Sequence, residues 1–278
     1  MVTNMEPTLF VGFDSAWSAA NRGAVVAAVR DSAGRWSVQL TPQAASFADA
    51  TEKIAAVRSQ AQPTHTVVFI DQPTIVPNTH GQRPVEHLVA SAIARRRGGV
   101  QPAYRGRAEL FGDGAPIWEF LQRHGGVADL PLAGGSSAVV ETYPALTLVA
   151  LGWTKAGPDG RQRLPKYNPL RRTTFSDDDW EHVKSRVAAE YTRRDMHQIA
   201  EWIRDQAPRK AAQDGVDACI CLLVAILGTE GDLMTIGQRE SGYIVVPYSA
   251  ELYNEIRERC GLKSLNPSKW VQSGRAEF

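Results

Sequence analysis

Three short apolar runs in this chain each stop at an acidic residue, a pattern that constrains the fold more than any other feature. Leu9-Phe10-Val11-Gly12-Phe13 ends at Asp14, Val67-Val68-Phe69-Ile70 at Asp71, and Ala138-Val139-Val140 at Glu141. Uniformly apolar runs of this length suit strands covered on both faces. Between the first two, Ala24 to Val29 is another apolar run, set between the turn-like Asn21-Arg22-Gly23 and Asp31-Ser32-Ala33-Gly34. Trp36-Ser37-Val38-Gln39-Leu40 then alternates apolar with polar, as a strand with one solvated face does. Short turns make these an antiparallel meander. Ser46 suits the N-cap of a helix whose Phe47, Ala50, Ile54, Val57 and Ala61 share a face, and Gln62-Pro63 ends it. The order is β-β-β-α-β with a fifth strand at Glu141. A strand reached through a helix is most simply parallel to an earlier one, so the expected class is α/β with a mixed five-stranded sheet and flanking helices.

The remaining segments read as additions to one domain spanning 1–278, with insertions at about 75–135 (after the fourth strand) and about 152–208. The first insertion is rich in Gly, Pro and Arg and thin in apolar residues, with helices expected at Pro84 to Arg96 and around Ile117 to His124. Trp153 to Thr174 is loop-like. Helices are expected after Ser176, whose Asp177, Asp178 and Asp179 suit a first turn, and from Asp195 to Gln206. Ala211 to Leu227 reads as a strongly apolar helix and Tyr243 to Pro247 as an edge strand.

Composition narrows the class. With 43% hydrophobic and 22% charged residues the chain is of ordinary globular make-up. No stretch approaches the ~20 apolar residues that cross a bilayer, and Met1 to Thr8 has no apolar leader segment, so no membrane partner is expected. The odd set Cys219, Cys221 and Cys260 argues against a disulfide framework and fits a reducing cytoplasm. The net charge of +1 gives no overall attraction for nucleic acid. Arg95, Arg96, Arg97, Arg105 and Arg107, and then Arg161, Arg163, Lys166, Arg171 and Arg172, are nonetheless locally basic. Such stretches hold phosphates or serve as solvated surface.

Carboxylates at the ends of neighbouring parallel strands converge, because strands lie under ~5 Å apart and ligands bind at that edge of open α/β sheets. Asp214-Gly215-Val216-Asp217 can add two more acids from one helix face. Such a cluster repels itself unless cations neutralise it, and Mg²⁺ or Mn²⁺ prefer oxygen ligands of this kind. Each acid also has a plainer role: Asp14 and Asp71 in turns, Glu141 as an exposed strand terminus, Asp214 and Asp217 in a capping-box-like helix start.

Five runs resemble the DUF429 family: Val11-Gly12-Phe13-Asp14-Ser15-Ala16-Trp17, Ile70-Asp71-Gln72-Pro73, Glu141-Thr142-Tyr143-Pro144, Lys166-Tyr167-Asn168-Pro169 and Asp214-Gly215-Val216-Asp217-Ala218. The resemblance covers roughly Leu9 to Pro247 and implies a ribonuclease H-like fold and a metal-dependent nuclease. In it Asp14 is the shared catalytic acid, Asp71 the second carboxylate, and Asp217, with Asp214 beside it, the contribution of the C-terminal helix. Glu141 belongs to the same catalytic set, although its motif also suits an architectural role.

The expected activity is hydrolysis of phosphodiester bonds in DNA or RNA by a two-metal site, with Mg²⁺ or Mn²⁺ held by Asp14, Asp71, Asp214 and Asp217. Arg83 and Lys166 are the candidate phosphate contacts, and Arg83 can equally hold one of the acids in place. Trp17 either stacks on a base or packs beside the strand end. His80 and His87 are candidates for proton transfer, and the histidines show no zinc-binding spacing. The alternative is a non-hydrolytic metal- or nucleic-acid-binding protein on the same scaffold. An actin-like phosphotransferase also begins with a strand-end Asp, but this chain shows neither duplicated halves nor a second phosphate loop.

Overall fold

The apolar runs form the strands expected of them. In the computed structural model, which describes residues 6–15, 17–129 and 137–276, β1 (Thr8–Asp14), β2 (Gly23–Arg30), β3 (Trp36–Ala45), β4 (His65–Ile70) and β5 (Ser137–Glu141) build one sheet in the order β3-β2-β1-β4-β5. β1 pairs antiparallel with β2, and β2 with β3, whereas β4 runs parallel to both β1 and β5. Helix α1 (Phe47–Ala61) begins at Ser46, whose Oγ accepts from Asp49 N–H while the Asp49 carboxylate accepts from Ser46 N–H at 2.9 Å. These reciprocal bonds satisfy backbone donors that the first turn leaves open.

Side chains alternate across the sheet and fill two cores. Leu9, Val11 and Phe13 of β1 pack with Phe47, Ile54 and Val57 of α1. Ile117 and Phe120 of α4 (Pro116–Arg123) close this layer, with α3 (Ala108–Phe111) beside them. Phe10 of β1 and Phe69 of β4 face the other core. Its centre is a helix buried nearly all round. α5 (Pro144–Ala150), the hairpin β6 (Lys155–Ala156) and β7 (Gln162–Arg163), α6 (Asp177–Thr192) and α7 (His197–Arg204) lead to that helix, α8 (Lys210–Glu230).

α8 lies directly on β1. A Cβ placed on Gly12 would come within 2.1 Å of the Ala218 carbonyl oxygen and 2.5 Å of Leu222 N, so only glycine admits this approach. By length and composition α8 also matches a membrane span, contrary to the sequence expectation, but 89% of the matching window is buried in the protein, as in a core helix.

Other segments differ from expectation. Tyr243 to Pro247 is β9 (Gly242–Pro247), and it is an edge strand, but of a second sheet, ordered β10-β8-β9 with β8 (Asp232–Gln238) and β10 (Val271–Arg275). α9 (Ala250–Leu262) and α10 (Pro267–Trp270) complete the chain. The first insertion contributes to the main core: in α2 (Pro84–Arg95), Val85, Leu88, Val89, Ala92 and Ile93 are wholly buried there. Ala16 and 130–136 lie outside the described residues.

Gly12→Ala forces α8 off the strand. We expect it to cost about 1–3 kcal/mol, as overpacked cores do, at about 2–4 °C of Tm per kcal/mol in a chain of this size. An unchanged melting curve would show that the contact yields freely.

Candidate functional site

The sheet register sets Asp14 and Asp71 side by side. Phe13 stands opposite Ile70, Asp71 N–H donates to the Phe13 carbonyl at 2.9 Å, and the next residue on each side is the acid. By alternation Asp14 continues the row of Phe10 and Gly12, and Asp71 the row of Val67 and Phe69, so both leave the sheet on the α8 side. Glu141 stands opposite Ile70 and is out of step with Asp71 by one residue.

From α8, Lys210, Gln213, Asp214 and Asp217 form one face at helical spacing. The helix begins at Lys210, so Asp214 and Asp217 lie inside it, which removes the capping-box explanation for them. Asp14 is 7% and Asp217 5% exposed, and Asp71 is partly exposed. Burial is the main reason the Asp14 carboxyl is held well above its ordinary value, with Asp217, Asp71 and Asp214 adding repulsion and Lys210 opposing it. Burial and then Asp217 and Glu141 push Asp71 the same way. Asp217 is raised by burial to about 6, held from going higher by Tyr167, Lys210 and Gln213. Burial works against the Lys210 ammonium, but Asp14, Asp214 and Asp217 hold its proton more tightly than usual.

The hydrogen bonds divide the acids. Asp217 accepts from the Tyr167 hydroxyl and from Gln213 Nε2, both at 2.6 Å. Asp214 accepts from Lys210 Nζ. Among the described residues, no donor reaches the carboxylates of Asp14 and Asp71. Nor, among them, do three His, Cys, Asp or Glu side chains already stand in metal-ligating geometry. The residue types nevertheless fit a hard divalent cation. Two acids lack donors, a third sits beside them on α8, and their mutual repulsion is the kind that an ion relieves.

These groups form part of the wall of a cavity of about 680 Å³. Trp17 lines it, but its Nε1–H donates to the Asp71 carbonyl oxygen at 2.8 Å and its ring meets Phe111 edge-on at 5.7 Å, so Trp17 packs and braces the strand end. Its φ of 66° is a left-handed backbone conformation rare for a bulky residue.

The two expected phosphate contacts, Arg83 and Lys166, stand in different surroundings. Arg83 is 1% exposed and gives four of its five N–H hydrogens to Glu141 (2.6 and 2.9 Å), Glu86 (2.8 Å) and the Ile75 carbonyl (3.0 Å). It holds carboxylates, and Glu141, which also accepts from Thr74 N–H at 3.0 Å, is committed to it. Burial opposes the Arg83 charge, yet Glu141 and Glu86 keep it protonated beyond its ordinary range. Lys166 Nζ donates to the Arg97 carbonyl, and Lys166 lines a smaller neighbouring cavity rather than the main one. His80 and His87 line neither cavity.

Sequence reasoning passed over Lys210 and Gln213, although both stand at i, i+4 from an acid already singled out, which was the available signal. It also passed over Asp179 as more than a helix-start acid. Wholly buried, its carboxylate takes Arg163 NH2 at 2.9 Å and Lys166 N–H at 2.6 Å, which anchors the loop that delivers Tyr167. Much of the first basic stretch is neutralised from afar: Arg96 pairs with Glu255 at 2.9 Å and Arg97 with Asp159 at 2.7 Å.

The family described as a protein of unknown function, DUF429, matches residues 12–241 of the chain. No curated protein and no solved structure matches.

Arg83→Met should cost about 3–5 kcal/mol in urea unfolding, because it strands the buried Glu141 and Glu86 charges, whereas a phosphate-binding arginine would be lost at little cost. Asp14→Asn acts in the opposite direction. A carboxyl raised in the folded state costs stability in full above its folded value, and the cost vanishes once pH falls below the unfolded value of 3.8. Metal-free Asp14→Asn protein should therefore melt higher than wild type near pH 8, by about 2–4 °C per kcal/mol relieved, with the gap closing toward pH 4. A lower Tm at neutral pH would refute the repulsion.

Proposed function

The chain belongs to the DUF429 family, and from that premise we propose that it is a metal-dependent nuclease of ribonuclease H-like fold, hydrolysing phosphodiester bonds of RNA or DNA. The observation that carries this reading is the pair Asp14 and Asp71. Both acids end neighbouring parallel strands at the edge where α/β sheets bind ligands, both are held toward the neutral acid, and neither carboxylate has a hydrogen-bond donor among the described residues. The mixed sheet with an acid closing its first strand supports the ribonuclease H-like assignment.

Asp14, Asp71 and Asp217 would hold Mg²⁺ or Mn²⁺, with Asp214 beside them. Bound there as a pair, such ions supply an ionisable water and counter-charge for the oxygens of the scissile phosphate. The protein's part is positional. Tyr167 and Gln213 orient Asp217, Trp17 fixes the Asp71 backbone, and Gly12 lets α8 approach near enough to join helix and strand acids. Glu141, given to Arg83, is left out of the catalytic set as a brace for the loop after Asp71.

A second reading has its own observation. The Lys210 ammonium already lies among the acids, and as a built-in counter-ion it suits a non-hydrolytic binding protein.

Protein stripped of metal should cleave labelled RNA or DNA only after Mn²⁺ or Mg²⁺ is restored. Asp14→Ala and Asp71→Ala should each lower the rate by more than about 100-fold, beyond the usual cost of losing a group that merely supports a ligand. Full metal-dependent activity in both variants would overturn the assignment. Absence of Mn²⁺ binding heat at millimolar metal, with the fold intact, would favour the second reading.

A further inference from the structure

Two cavities meet at the acids. Besides the larger one, a cavity of about 210 Å³ lies between α5 and the loop carrying Lys166 and Tyr167. Asp71, Asp217, Gln213, Tyr143 and Arg171 line both, so the acids stand at the junction and the smaller space continues beyond them. Resting on the nuclease reading, we propose that the smaller cavity is a subsite for one unpaired nucleotide next to the scissile phosphate. The substrate class is then single-stranded nucleic acid rather than intact duplex.

Size is the first argument. A space of 210 Å³ equals the liquid volume of about seven waters and falls short of the ~300 Å³ at which drug-sized pockets begin. It has room for one heterocycle and part of its sugar, and is too small by itself to enclose a base pair.

The lining is the second. Tyr143, Tyr167, Leu148 and Leu164 give aromatic and apolar wall. The tyrosine hydroxyls are tied down, Tyr143 to the Gly99 carbonyl at 2.9 Å and Tyr167 to Asp217, so the rings are held in place. Asn168 Oδ1 accepts from Leu170 N–H at 3.0 Å, while its amide nitrogen has no partner among the described residues. Aromatic surface with a free amide donor suits a base face and a base edge, the way unpaired nucleotides are held.

Charge is the third. Duplex binders neutralise a row of phosphates with a continuous basic surface. Here Arg96, Arg97 and Arg163 are engaged by Glu255, Asp159 and Asp179. Arg171, exposed at the junction, makes no side-chain ion pair among the described residues, which leaves it for a phosphate beside the smaller cavity. The burial of Asp14 and Asp217 also suits a strand thin enough to reach them.

The test compares a labelled single strand with its blunt duplex, in DNA and in RNA arms. Binding is read by fluorescence anisotropy with Asp14→Asn protein, and cleavage with wild type and Mn²⁺. We expect single strands to bind and to be cut at least about ten-fold better than duplex, and the arms to show which sugar is preferred. Ala145→Phe, on the α5 wall of the smaller cavity, should weaken single-strand binding by at least about ten-fold while leaving the Mn²⁺-induced rise in Tm intact. Asn168→Ala should act in the same direction without adding bulk. Equal handling of duplex and single strand, or unaltered binding in folded Ala145→Phe and Asn168→Ala proteins, would overturn the subsite and leave the nuclease reading standing. Failure of wild type to bind or cut any strand in the presence of Mn²⁺ would overturn both.

Discussion

Buried carboxylates crowded against one another cannot all stay charged at neutral pH without help, and much of this molecule is arranged around that fact. Asp14 and Asp71 are brought together by strand register, and Asp217 and Asp214 arrive on α8. Burial and mutual repulsion push Asp14, Asp71 and Asp217 toward the neutral acid. The contact that enforces the crowding is apolar and steric: α8 rests on β1 where Gly12 has no side chain. Stability is given up locally so that oxygen atoms face one another, as sites built for charged ligands commonly do.

Around this cluster the polar network falls into two kinds. One kind holds the acids without neutralising them, as Tyr167, Gln213 and Trp17 do through single hydrogen bonds. The other is a buried set of full charges, Glu141, Arg83 and Glu86, that also takes the backbone N–H groups of Thr74 and Ala103. This second set ties the loops after β4 and α2 to the end of β5. Its value is positional, since a buried ion pair rarely adds much net stability while the loss of one partner is expensive. The same acid-rich edge therefore carries Asp14 and Asp71, without a hydrogen-bond donor among the described residues, beside Glu141, which Arg83 holds.

The strands ending at Asp14, Asp71 and Glu141 were legible because an apolar run with a polar stop is a local signal, and α1 because its cap and apolar face repeat at helical spacing. The second sheet was not: β8 carries Gly237 and polar residues within seven positions, and its partner β10 lies far along the chain. Helix α2 was legible as a helix but its place in the main core was not, because its surroundings are rich in Arg and Gly, although its own Val85, Leu88, Val89, Ala92 and Ile93 form a continuous buried face.

By itself the sequence determined which residues end strands, which face of each strand they occupy and which acids share a helix face, because these follow from periods of two and 3.6 residues that need no knowledge of the rest of the chain. Tertiary structure alone decided what each charged group meets. Arg83 and Glu141 are 58 positions apart and Arg96 and Glu255 are 159 apart, and no local pattern states that they pair. The sequence left Arg83 open between a phosphate and a carboxylate of the protein, because a cation near an acid looks the same on paper whether it meets substrate or protein. Which one it meets depends on the distant segments that pack beside it, and that is settled by the burial of the core rather than by the charges themselves.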